Sequence, residues 1–99
     1  MPNCSISFKI LPMMPDSQQS ELFSVVDCVI DYVSSTGVKY IVGPSETTME
    51  GEFNQLCDII REAQMLAQRL SGCSVYCFAQ ICYNPAGVAE IDEKLEKYR

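Results

Sequence analysis

From Cys4 to Leu11 apolar and polar residues alternate: Cys4, Ile6, Phe8 and Ile10 fall on one side, Ser5, Ser7 and Lys9 on the other. A period of two is the mark of a half-buried strand. Pro12 and Pro15 close it, because proline brings no donor to a ladder. The period then changes. Asp16 with Gln19 three residues on has the spacing of a capping box. Leu22, Val25, Val26, Val29 and Val33 recur as one helical stripe, and Gly37 fits the left-handed stop after it.

The β-branched run Val38 to Val42 predicts a second strand, and Gly43-Pro44 a turn. Ser45 to Glu50 predicts a third strand, in which Glu46, Thr48 and Glu50 share one side and Thr47 and Met49 the other. After Gly51, the stripe Phe53, Leu56, Ile60, Ala63, Ala67 and Leu70 predicts a helix over 52–70. Glu52 suits the positive end of its dipole, and Gly72 supplies the stop. Ser74 to Tyr83 alternates again, with Val75, Cys77, Ala79 and Ile81 opposite Tyr76, Phe78 and Gln80. Asn84-Pro85 signals a turn. The tail from about Val88 reads as a short acidic helix with Ile91, Leu95 and Tyr98 on one side. It is too short to stand alone, so it is expected to dock on its own domain or on a neighbour.

The order strand, helix, strand, strand, helix, strand is the βαββαβ pattern of the ferredoxin-like α+β fold. That fold is a four-stranded antiparallel sheet with two helices on one face, here with a short C-terminal helix added. Its spatial strand order is 4-1-3-2, which places Ser7 between Thr48 or Glu50 on one side and Phe78 or Gln80 on the other. The helix-free face then carries Ser5, Ser7, Lys9, Lys39, Ile41, Glu46, Thr48, Glu50, Tyr76, Phe78 and Gln80.

Composition narrows the classes. A chain of 99 residues with no linker or repeat is expected to form a single domain over 1–99. Seven basic residues against thirteen acidic ones, a net charge of -6, exclude a phosphate-backbone binder, so no nucleic-acid partner is expected. No apolar run approaches the ~20 residues that cross a bilayer. The N-terminus lacks the features of a signal peptide, so no membrane partner and a cytoplasmic location are expected. The six cysteines include no C-x-x-C pair and the chain has no histidine, which argues against a structural metal site. Most of the cysteines are read as reduced core residues, since free cysteine is among the most buried types.

Carboxylates and hydroxyls are poor material for a strand core, because burying them unpaired costs several kcal/mol. On a bare sheet face they accept charge-assisted hydrogen bonds from an amino group or protonated ring nitrogen. Phe78 and Tyr76 beside them suit a flat heterocycle or a cation. The pattern therefore points to a small, flat, amine-bearing ligand. Two other readings stand beside it. Glu46 and Glu50 are simply solvated or pair with Lys9 and Lys39, and the aromatics serve a partner chain in an oligomeric interaction module. Alternatively a glutamate base or a perturbed cysteine supports an enzyme.

The stretches SISFKILP, GVKYIVGPSETTMEGEF and the closing EKLEKYR resemble the small thiamine-binding protein family, a YkoF-like group with the ferredoxin-like fold. The Thr47-Thr48-Met49-Glu50-Gly51 core is the most specific part of the likeness. What the resemblance implies is non-catalytic binding of thiamine or its hydroxymethyl-pyrimidine moiety, as carrier or sensor, on the open sheet face or a subunit interface. It implies no further cofactor, and assembly as a homodimer or homotetramer through the sheets. By motif it carries ligand contacts to Thr47, Thr48, Glu50 and Ser45; Ser7, Phe78 and Gln80 join them by face assignment.

Overall fold

The computed structural model describes residues 1–96 and 98. Four strands, β1 (Cys4–Pro12), β2 (Lys39–Val42), β3 (Thr47–Gly51) and β4 (Val75–Tyr83), alternate with α1 (Gln19–Ser35) and α2 (Phe53–Ser71), and α3 (Ile91–Glu96) follows. All strand pairs are antiparallel, in the order β2-β3-β1-β4. This is the ferredoxin-like arrangement that the alternating periods predict.

The core lies between one face of the sheet and the two long helices. Cys4, Ile6 and Phe8 from β1 and Met49 from β3 meet Val25, Val29 and Val33 of α1 and Leu56, Ile59, Ala63 and Ala67 of α2. Ile6, Met49 and Leu56 are among the largest fully buried side chains; burying each fully is worth about 1.5–3 kcal/mol. β1 is central, so its one apolar face covers the middle of the domain while Ser5, Ser7 and Lys9 point the other way.

Helix ends follow local chemistry. Glu52 caps α2, its carboxylate accepting the Gln55 N–H at 2.9 Å, and Gly72 stops it at φ 67°, donating its N–H to the Gln68 carbonyl at 2.8 Å. The capping box expected at Asp16 does not form. Residues Asp16–Gln18 make a 3-10 turn instead, with Gln18 N–H donating to the Pro15 carbonyl, and α1 begins at Gln19 with no side-chain cap. β3 begins at Thr47 rather than Ser45, because the Gly43 N–H donates to the Glu46 carbonyl at 2.8 Å and draws 43–46 into the turn. A Cβ on Gly43 would meet that same carbonyl oxygen at 2.8 Å, so only glycine closes the turn this tightly. The cysteines also differ from expectation. Cys4 alone is buried; Cys28 and Cys82 are exposed and the other three half-buried.

Candidate functional site

The registers set the helix-free face out in bands. Lys39, Glu50, Ser5 and Cys82 form one band, and Ile41, Thr48, Ser7 and Gln80 the next. Lys9 opposite Phe78, and Leu11 opposite Tyr76, continue the series. Ser7, Thr48, Glu50, Phe78 and Gln80 therefore share this face, as the alternation predicts. The Ser7 and Thr48 hydroxyls hydrogen-bond at 2.8 Å. The Lys9 ammonium lies 5.5 Å from the centre of the Phe78 ring, which is within reach of a cation–π contact. Phe78 and Tyr76 remain 53% and 54% exposed.

Glu50 is not open to solvent. It is 6% exposed; one carboxylate oxygen lies 3.3 Å from Lys39 Nζ and the other accepts the Ile91 backbone N–H at 2.8 Å. The tail thus docks on its own chain and crosses the first band, where Ser5 is also buried. Lys39 reaches on to Asp92 at 2.6 Å. The hydrogen bond to Asp92 first, and that to Glu50 second, hold its ammonium above the ordinary lysine pKa. The pairing of Glu50 with Lys39 weighed from the sequence is therefore present.

Thr47 and Ser45 lie elsewhere. Thr47, 8% exposed, points to the helix side of the sheet like Met49. There it lines a groove of about 410 Å³ between α1, β1 and the 43–46 turn. Ser45 and Glu46 border the same groove, whose remaining wall includes Phe8, Ile10, Phe23, Val26, Val29, Ile30 and Val42. The residues singled out from the sequence are thus divided between two surfaces, a flat face with five of them and a concave groove with two. The groove's helical wall was anticipated only in part: Val26 and Val29 belong to the predicted stripe, whereas Phe23 and Ile30 lie outside it. Phe23, Val26 and Ile30 form a second apolar row at i, i+3 and i+7 beside the core stripe, and an apolar arc wider than the core needs is the signal that marks it.

The groove has the form expected of a small-molecule site, since such sites are concave, mostly apolar, about 300–1,000 Å³ in volume, and carry a few polar groups. Among the described residues, no group of histidine, cysteine or acidic side chains is placed to hold a metal ion. No helix among them is long and apolar enough to cross a membrane.

A family model described as "Thiamine-binding protein" matches residues 6–99. A UPF0045 protein of Clostridium perfringens is 43% identical over 99 residues, covering all of both chains. Among solved structures, a Thermotoga maritima protein named for a suggested role in thiamine biosynthesis or salvage superposes with a TM-score of 0.83. It is 35% identical, with 97% of this chain and 98% of that one covered. A domain of unknown function from Bacillus cereus gives a TM-score of 0.85 at 36% identity, covering 97% of this chain and 89% of that one. The match along nearly the whole length, at these identities and with the same architecture, means that the chain belongs to the thiamine-binding protein family.

Proposed function

We propose that the protein binds thiamine or its hydroxymethyl-pyrimidine moiety without transforming it, as a carrier or sensor, and that the groove beneath α1 holds the ring. The observation that carries this reading is the meeting of Ser45 and Thr47 of the family-like motif with an apolar cleft of ligand size. Phe8, Phe23, Val26 and Ile30 offer dispersion contacts to a flat ring. The Ser45 and Thr47 hydroxyls can meet its amine and ring nitrogens, and Glu46 on the same turn favours a cation. A protein with no histidine, whose buried glutamate is already held by two donors, is better suited to holding such a molecule than to reacting with it.

Titration calorimetry with thiamine and with hydroxymethyl-pyrimidine tests the reading. Micromolar affinity, about 8 kcal/mol, is expected for at least one of them. No heat and no thermal shift with either compound refutes it.

The half-exposed Tyr76, Phe78, Leu11 and Ile41 on the flat face favour a second, compatible role as a contact between subunits. Light scattering at micromolar concentration should then report a dimer or tetramer. A monomer would remove that role and leave the groove untouched.

A further inference from the structure

We infer that residues 84–96 are a releasable strap, and that the Glu50 carboxylate is the catch that holds it over one end of the bare sheet face. The strap has a hinge. Asn84 follows directly on β4, its side-chain oxygen accepting the Ala86 N–H and its carbonyl accepting the Gly87 N–H at 2.8 Å. Gly87 sits at φ 119°, a conformation that favours glycine. Its buried side chains are few. Val88 and Ile91 are buried, while Ala89 and Asp92 to Lys94 are exposed. The helix it carries, Ile91–Glu96, is far shorter than the length at which helices persist by themselves. Such a segment forms only while docked.

What it docks on is unusual for a sheet surface. The Ile91 N–H, an orphan donor at the start of α3, is met not by a neighbouring side chain but by Glu50, 41 residues earlier. The Val88 N–H donates to the Pro2 carbonyl at 2.9 Å, and Lys39 bridges Glu50 to Asp92. With the strap down, the Glu50 carboxylate is held against Ile91, and Ser5 beside it in the sheet is buried as well. With it lifted, Glu50 joins the neighbouring band of Thr48, Ser7 and Gln80 in one polar surface, and the carboxylate oxygen now held by Ile91 becomes available to another donor. The strap therefore acts as an internal occupant of the carboxylate, in the place where an amine or guanidinium from outside would bind. It covers the opposite side of the sheet from the groove, so it stands or falls apart from the ligand proposed there.

Hydrogen exchange on the full-length protein, followed by mass spectrometry without any ligand, tests it. Amides of 88–96 are expected to exchange at least tenfold faster than those of β1 and β3. Glu50→Ala should speed exchange at 91–94 about a further tenfold while β1 and α2 keep their protection. Glu50→Gln keeps an acceptor for the Ile91 N–H and should lie close to the parent. Ile91→Ser removes the anchor but not the catch, and should free the same segment. Strap amides that exchange in step with the central strand in the parent, or that do not respond to either Glu50→Ala or Ile91→Ser, overturn the inference.

Discussion

Thr47 and Thr48 are adjacent in sequence and face opposite sides of one strand, which makes them a matched pair for locating the ligand. Thr47→Val keeps the branched Cβ that a strand favours and removes one hydroxyl from the groove wall. The residue pairs with Phe8 on one side and Val42 on the other and is 8% exposed, so the change disturbs little else. A single hydrogen bond contributes about 0.5–1.5 kcal/mol net, which corresponds to about a two- to tenfold loss of affinity. The melting temperature should move by less than about 8 °C, the upper shift for 1 kcal/mol in a domain of this size. Thr48→Val removes the bond to Ser7 on the far face and should leave affinity within twofold (an expectation of roughly no lost contact). Calorimetry on both variants decides. If Thr47→Val binds as tightly as the parent and Thr48→Val does not, the ligand lies on the flat face and the argument for the groove fails.

Two other outcomes follow from the same geometry. Glu52→Ala removes the acceptor of the Gln55 N–H at the start of α2; it should cost about 1 kcal/mol, a drop of about 4–8 °C in melting temperature, with ligand affinity unchanged. Burial first, then the neighbouring Cys57 and Cys82 thiols and the Glu52 carboxylate, push the Cys4 thiol above its ordinary value of 9.0. At pH 8 alkylation followed by mass spectrometry should mark the exposed Cys28 and Cys82 well before Cys4. The unfolded chain releases the Cys4 proton more readily than the folded one, so this contribution to stability is intact below pH 9.0 and is lost as pH rises beyond it. Denaturant midpoints at pH 8 and pH 10 should therefore converge in part between the parent and Cys4→Ala, and a constant gap would contradict the assignment.

The central strand was the clearest part of the sheet, since Cys4 to Ile10 alternates without a break; Val75 to Tyr83, apolar on both sides apart from Gln80 and closed by Asn84-Pro85, was also legible as a strand. The start of α1 was not, since a capping box is a local signal and Pro15 with Gln18 closes a 3-10 turn in its place. The site was half legible. Alternation assigns Thr48 and Glu50 to one face and Thr47 to the other, but it cannot say which face is concave. That depends on how far α1 stands off the sheet beside Phe23, Val26 and Ile30, a tertiary property. The burial of Glu50 was beyond reach for the same reason. Its partner Ile91 contributes a backbone N–H, and a backbone group leaves no mark in the sequence to pair with.

Both surfaces depend on the register of β3. Shifting the strand by one residue would send every side chain to the other face. Glu50 would then enter a core that holds Ile6 and Leu56, and Met49, now fully buried, would be set out on the bare side. Thr47 would leave the groove in the same movement. The burial of Met49 and the double hold on Glu50 by Lys39 and Ile91 oppose that slip from opposite sides of the sheet. The five residues Thr47 to Gly51 form a short strand, and short strands hold their register weakly unless one face is strongly specified. Here both are. A carboxylate that fastens the tail above the sheet thereby also keeps Thr47 in the wall of the cleft below it, three residues away on the same strand.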